Sequence, residues 1–495
     1  MSIEFDKLTP SKLAKAAILP QSLDNQWVPV RLLKPMLRKR QSLQDIKAAR
    51  NNYILREWRR ALIYSEQVVI NRASMYNNDI VVDDYDDSKN RAAFKQLLAR
   101  GDIVIYLFTE DSPDQRPNFD VKDALWKAWM EVVNSTRISC VRLDWGDQSD
   151  DFKQLAQTFH RYIQTLNTRT DTFMAHFKIP AKNRMALQQR FREVVNYASD
   201  KADQGKSITR NDIYAQFICA DGTNVADGQY DGKKQFADLI KQIADLKYNV
   251  NLPDALGRYA LTPEDSPQRS VLGDLQDALQ VTSITDDNVQ EILYSLRRLA
   301  FDKVAPGLYL GSLGLLTLQD VLKIREETDE WKEYRDALHQ LLDNPLSFAE
   351  HSALLYRKFA ALNQVITRQR YESEKQKWEP WVKFTILLGP NLVELWLNPT
   401  EPGQKFLTKV IGGAVATGAT PFLLRMTVTG LTEMDADLNT SLDFMRGTIR
   451  NGRDTWREIE NTLQETAGYN LLDNIATENN PEESNVNAPE SFGGV

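Results

Sequence analysis

Gln67-Val-Val-Ile-Asn71, Asp102-Ile-Val-Ile-Tyr-Leu-Phe108 and Ile138-Ser-Cys-Val-Arg-Leu143 are three short runs of apolar, largely β-branched residues. Their length and composition predict buried strands. Between the first two, Ser88 to Arg100 carries Phe94, Leu97 and Leu98 on one helical face and stops at Gly101. Between the second and third, Asp120 and Asp123 stand where they would cap a helix bearing Leu125, Trp129 and Val132. Helices inserted between successive strands imply right-handed crossovers and a parallel sheet. Residues 65–149 therefore read as a small three-layer α/β domain.

Upstream, residues 1–64 form an arm punctuated by Pro10, Pro20, Pro29 and Pro35, followed by a basic helix. Ser42 with Asp45 makes a capping-box-like start, and Ile54, Trp58 and Leu62 share one face. The polarity is strongly biased. Arg31, Lys34, Arg38, Lys39, Arg40, Lys47, Arg50, Arg56, Arg59 and Arg60 face only Asp45 and Glu57. Such a helix presents Arg38, Lys39, Arg40, Arg56, Arg59 and Arg60 as a phosphate grip, or as the partner of an acidic surface within the same chain. An acidic segment expected to be a loop, Asp83-Asp84-Tyr-Asp86-Asp87, lies just downstream.

From Asp150 the periodicity is helical. Residues 150–300 form a helical domain interrupted by Asp221-Gly222, Asp227-Gly228 and Asp231-Gly232, whose spacing suits tight turns and does not fit an EF-hand loop. Pro180 suits the first position of a helix, and further helices are expected over 234–247 and 274–300. Residues 301–476 read as a long-helix bundle, with one helix over 318–342 and a second over 347–378 forming an antiparallel hairpin. Residues 410–424 are uncharged but short for a span and broken by Pro421, so a buried helix is expected there over a membrane-inserting one. From Leu431 to Leu463 apolar residues alternate at spacings of three and four, an a/d seam that serves a coiled-coil homodimer or a long helix docked in its own bundle. Residues 477–495 are polar and expected to be disordered. The fold class is thus mainly α with an N-terminal α/β unit: a small parallel three-layer α/β domain followed by a large helical-bundle region.

The balance of 61 basic and 68 acidic residues gives a formal net charge of -7, so the whole chain lacks a nucleic-acid-type excess. Cys140 and Cys219 stand in no metal or redox spacing and read as structural thiols of a reducing compartment. With no basic segment leading into an apolar one at the start, the expectation is a cytoplasmic protein. Four histidines with no close His–His or Cys–His pair do not support a zinc site. No phosphate loop, dinucleotide fingerprint or nucleophile elbow occurs, and no organic cofactor is indicated.

Ligands of open parallel sheets sit outside the carboxyl ends of the strands. Those ends present Asn71, then Glu110 and Asp111, then Asp144 and Asp147. Carboxylates gathered in this way hold Mg²⁺ or Mn²⁺ through hard oxygen ligands, and such ions assist attack on phosphodiesters. The same acids equally cap turns, as Ser112-Pro113 suggests for Asp111. The order of elements and the acidic strand ends resemble the PIN-like nuclease arrangement over residues 67–147. The resemblance implies a metal set drawn from Glu110, Asp111, Asp144 and Asp147, with Asp111 and Asp144 catalytic. It departs at the first strand, where Asn71 stands in the place of an aspartate. The first functional expectation is therefore a nucleic-acid-associated, nuclease-like phosphodiesterase. The alternative is a non-enzymatic helical scaffold that binds a protein partner or a second copy through 431–463. A membrane-active effector using 381–424 is the third.

Overall fold

The computed structural model of the chain describes residues 5–23, 41–143 apart from 109, 118 and 119, 166–223 apart from 205 and 207, 232–263, 289–308 and 316–373, with isolated positions between these runs. The a/d seam at 431–463 and the apolar run at 410–424 lie outside the described residues, as does the tail. Among the described residues no helix is long and apolar enough to cross a membrane.

In chain order come β1 (Phe5–Leu8), β2 (Ala17–Pro20), α1 (Leu43–Tyr64), β3 (Gln67–Asn71), α2 (Asp79–Asp86), α3 (Ser88–Ala99), β4 (Ile103–Tyr106), α4 (Asp123–Val133) and β5 (Ile138–Val141). Then follow α5 (Thr170–His176), α6 (Arg184–Asp203), α7 (Ala237–Ala255), β6 (Tyr259–Leu261), α8 (Val289–Val304), α9 (Leu318–Glu327), α10 (Asp329–Asp343) and α11 (Phe348–Ser373). The six strands form one sheet of order β1-β5-β4-β3-β2-β6. Every pairing is parallel, from Phe5 opposite Ile138 at one edge to Leu19 opposite Ala260 at the other. The three strands read from sequence are its centre and one flank. The other three, Phe5-Asp-Lys-Leu8, Ala17-Ile-Leu-Pro20 and Tyr259-Ala-Leu261, lie in segments without the longer apolar runs of the central strands and are held by pairing to their neighbours.

Several local expectations are met. Ser42 caps α1 through the Asp45 backbone N–H in a full capping box. Gly101, in the left-handed region at φ +74°, turns α3 into β4. Other expectations are corrected. The acidic segment is a helix, α2, started by Asn78, whose side-chain oxygen accepts from the Ile80 and Val81 N–H groups. Neither Asp120 nor Asp123 caps α4; Lys122 occupies the cap position and Asp123 opens the helix. Pro180 precedes a short 3-10 turn, and the helix proper begins at Arg184. The single helix expected over 318–342 is two, broken at Thr328. That residue is extended, and its hydroxyl donates to the Ile324 carbonyl at 2.5 Å.

The alternation of side chains sorts the sheet into two faces. Ile18, Val68, Ile70, Ile103, Ile105 and Ile138 face a core built with α1 to α4 and with the helices after β6. Leu19, Val69, Val104, Tyr106 and Val141 face the opposite way, against Leu13 and the end of α7 at Leu252, Ala255 and Leu256. The reason is chirality. From β2 to β5 the strands are laid down in one direction, so right-handed crossovers put all their helices on one face. The return from β5 to β6 runs the other way, so its crossover lies on the other face. The connecting segment has its own core, in which Phe173 meets Phe191 edge-on and Phe217, Ile240 and Ile243 complete the cluster.

The end of α1 fastens the later helices to the sheet. The last four carbonyls of a helix lack partners within it. Here each is taken by a side chain: Ala61 by the Ser65 hydroxyl, Leu62 by Arg325, Ile63 by the Trp331 indole and Tyr64 by the Tyr334 hydroxyl. Three of those four donors come from α9 and α10. Arg325 also donates to the Ser65 and Glu66 carbonyls and to Asp102, while its guanidinium lies 4.4 Å from the Trp331 ring centre.

Candidate active site at the carboxyl edge of the sheet

β3 delivers Asn71 and Arg72 to the carboxyl edge. The Asn71 side chain accepts the Ala73 N–H at 2.8 Å, which makes it a turn residue. Arg72 is completely buried. Its guanidinium donates to the Ser112 and Pro113 carbonyls, both at 3.1 Å, and to the Gln115 carbonyl. It also lies 6.0 Å from the ring centres of Tyr76 and Trp126. The Trp129 indole adds a bond to the Pro113 carbonyl at 3.0 Å. The loop after β4 is therefore held on a buried cation, and that loop carries both sequence-predicted acids of this strand.

Those two acids have different fates. Glu110 is buried, 3.8 Å from Arg72 Nη1, and its carboxylate accepts the Phe108 N–H at 3.0 Å. It neutralises Arg72 and shapes the loop. Asp111 turns outward with 73% of its side chain exposed. Its backbone N–H donates to Gln115 Oε1 at 2.8 Å, and its Oδ1 accepts from Arg142 Nη1 at 2.8 Å. Arg142 follows the last residue of β5. It is only 5% exposed, and the same nitrogen donates to the Glu110 carbonyl at 3.0 Å. One guanidinium thus joins the ends of β4 and β5. Beside it, Phe108 meets Tyr106 edge-on, its ring about one-third exposed.

Topology singles out this position. The chain leaving β4 passes to α4 on one face of the sheet, whereas the chain leaving β5 returns to β6 by way of α7 on the other. Neighbouring strands whose connections diverge open a crevice at their carboxyl ends, the usual ligand position in such sheets. Asp111 and Arg142 stand at that point. Asp144 and Asp147 lie outside the described residues, and among the described ones no three His, Cys, Asp or Glu side chains gather to hold a metal. Sequence reading missed Arg72 and Arg142. The available signal was an arginine directly after, or within, an otherwise apolar strand, where a charge is retained only if it is paired.

The basic helix needs a correction. Arg59 and Arg60 do not face solvent. Arg59 makes a two-pronged contact with Asp84 at 2.6 and 2.8 Å and donates to the Leu316 carbonyl; the Trp58 indole reaches the same carboxylate at 2.7 Å. Arg60 pairs with Glu57 at 2.9 Å and donates to the Thr262, Ala305 and Leu308 carbonyls. Both are internal fasteners; the acidic partner of Arg59 is on α2 and that of Arg60 is Glu57 of α1 itself. Lys47 and Arg50 approach Asp79 of α2. Arg56 is half-buried, 5.3 Å from the Tyr53 ring centre. Lys39 is exposed, and Arg38 and Arg40 lie outside the described residues. Comparison of the chain with protein-family models, with curated proteins and with solved structures returns no match.

Proposed function

We propose that the α/β unit is a metal-dependent phosphodiesterase head, acting in the crevice outside β4 and β5 and carried on the helical region. The observation that supports this reading is the coincidence of the topological switch point with the two strand ends that bear Asp111 and, two residues beyond Arg142, Asp144. Asp111, with Asp144 and Asp147, would hold Mg²⁺ or Mn²⁺ through oxygen ligands. When bound, such an ion polarises a phosphoryl oxygen and lowers the pKa of an attacking water. The protein's own share is positioning. Arg72 fixes the loop, Arg142 fixes Asp111, and the part-exposed Phe108 ring offers a flat ligand a stacking surface. Phosphate contacts beyond the crevice fall to Arg38, Lys39 and Arg40, since Arg59 and Arg60 are committed to internal partners.

The test is incubation of the full chain with labelled RNA, labelled DNA and a small chromogenic phosphodiester, each with Mg²⁺ or Mn²⁺. Cleavage that disappears on chelation and in an Asp111→Asn, Asp144→Asn double variant is the expected result. Absence of cleavage of all three substrates, or equal cleavage by the double variant, removes the proposal.

A further inference from the structure

We infer that the outer face of α6 binds duplex DNA by lying in its major groove, at a surface separate from the crevice at the sheet edge. The segment from Lys178 to Ser199 carries the cations Lys178, Lys182, Arg184, Arg190 and Arg192 and a single acid, Glu193, in a chain whose acids outnumber its cations. Burial sorts the helix by face. Leu187, Phe191, Val194 and Ala198 enter the core of the connecting segment. On the other side Met185, Gln189, Arg192 and Asn196 are all exposed at spacings of four, three and four, and exposed Lys182 continues the stripe into the preceding 3-10 turn. Arg184 and Ala186 are exposed as well, so much of the circumference of the first turns is open.

The acids beside these cations are already engaged. Glu193 pairs with Arg190 at 2.7 Å, and Asp171 takes Arg184 in a two-pronged contact at 2.7 and 2.8 Å. Among the described residues Lys178, Lys182 and Arg192 have no acidic partner. A polyanion supplies what these three lack, and the rest of the stripe says which one. Gln189 and Asn196 offer the paired donor and acceptor that match adenine, Arg192 the fork that matches guanine, and Met185, 82% exposed, an apolar contact for a thymine methyl. An acidic protein would use the cations and leave the amides idle. A membrane surface would call for several large apolar residues, and Met185 is alone on this stripe. A helix about 10–12 Å across also fits a major groove about 12 Å wide.

Fluorescence anisotropy of the full chain with a labelled mixed-sequence DNA duplex tests this, with a chelator present so that cleavage does not intervene. Affinity should fall with salt at a log–log slope of about -3, set by the three unpartnered cations. Lys182→Gln with Arg192→Gln should flatten that slope by about 2 units and weaken binding by about tenfold or more at low salt. Met185→Glu, an exposed change that spares the buried face, should weaken binding in the same direction. Lys323→Gln with Arg357→Gln removes equal charge from α9 and α11 and should alter neither slope nor affinity. Circular dichroism confirms that each variant is folded. A duplex RNA of the same sequence should bind more weakly, because its major groove does not admit side chains. Absence of DNA binding, an unchanged slope in the α6 double variant, equal loss in the two double variants, or equal affinity for the RNA duplex overturns the inference. DNA binding of the expected kind without cleavage of any phosphodiester would sink only the phosphodiesterase reading, and cleavage with any of those four results would sink only this one.

Discussion

Two arginine–aspartate pairs in this protein look alike in sequence and behave differently in space. Arg59 and Asp84 are both shut away, at 3% and 2% exposure, in a contact that also recruits the Trp58 indole. Arg142 and Asp111 stand at 5% and 73%. In the first pair neither charge can meet water, so each is indispensable to the other, and the contact is a fastener between α1 and α2. In the second, one partner is buried and the other is open, so the aspartate can leave without stranding itself. The lesson is that the distance between charges does not separate a structural pair from an available one. The asymmetry of their burial does.

Breaking the closed pair should give the largest effect. Asp84→Asn leaves a buried guanidinium without its counter-charge and should cost about 3–5 kcal/mol, read as a lower urea midpoint with an unchanged slope. A loss below about 1 kcal/mol would mean that water reaches Arg59 and that the two pairs do not differ as described.

Tyr334→Phe is next. It removes the donor to the Tyr64 carbonyl at the end of α1 and should cost about 1–2 kcal/mol, the scale of one buried carbonyl left unpaired. No change in stability would show that the helix end is satisfied in another way.

Acid titration supplies a pair of intermediate exposure. Glu66 Oε2 lies 2.8 Å from His339 Nε2 and accepts the Ala16 N–H. Burial pushes the Glu66 carboxyl up, but the His339 hydrogen bond and charge, with the Ala16 N–H and Arg335, outweigh it, so the group titrates below its ordinary 4.5. Its folded value is depressed, so its contribution to stability is present above 4.5 and is lost as the pH falls through the lowered value. Glu66→Gln should remove that part of the acid loss in melting temperature. An unchanged acid limb in the variant would exclude the His339 contact as its source.

Asp111→Asn should cost less than Asp84→Asn, because the removed carboxylate is 73% exposed and water can take its place beside Arg142. A loss as large as that of Asp84→Asn would erase the distinction between the two pairs.

The smallest expected effect concerns the thiols. Cys140 and Cys219 are both free and buried, and burial raises the Cys140 thiol to about 12. Neither should react with a thiol reagent at neutral pH until the chain unfolds. Rapid modification of native protein would show that the sheet core opens locally.

Much of the framework was legible in local pattern. Three apolar runs reported β3, β4 and β5 because buried parallel strands have no polar face to keep. Ser42 with Asp45 reported the start of α1 because a capping box lies within four residues of chain. Glu110 and Asp111 were legible as acids of the loop after β4. Their roles were not. Glu110 and Asp111 are neighbours in sequence, yet one is spent on Arg72 and the Phe108 N–H while the other is open.

Sequence by itself determined the central strands, the helices α3 and α4 between them and the parallel class of the sheet. These follow from periodicity and from the handedness of crossovers, which act over a few tens of residues. Tertiary structure alone decided β1, β2 and β6, which are strands through their pairing with neighbours rather than through a long apolar run of their own. It also decided which arginines of α1 are internal, because a guanidinium is a surface charge or a fastener according to which distant carbonyls and carboxylates fold against it. The pairing of Asp111 with Arg142 belongs to that second class. It exists because β4 and β5 lie side by side and their connections leave on opposite faces.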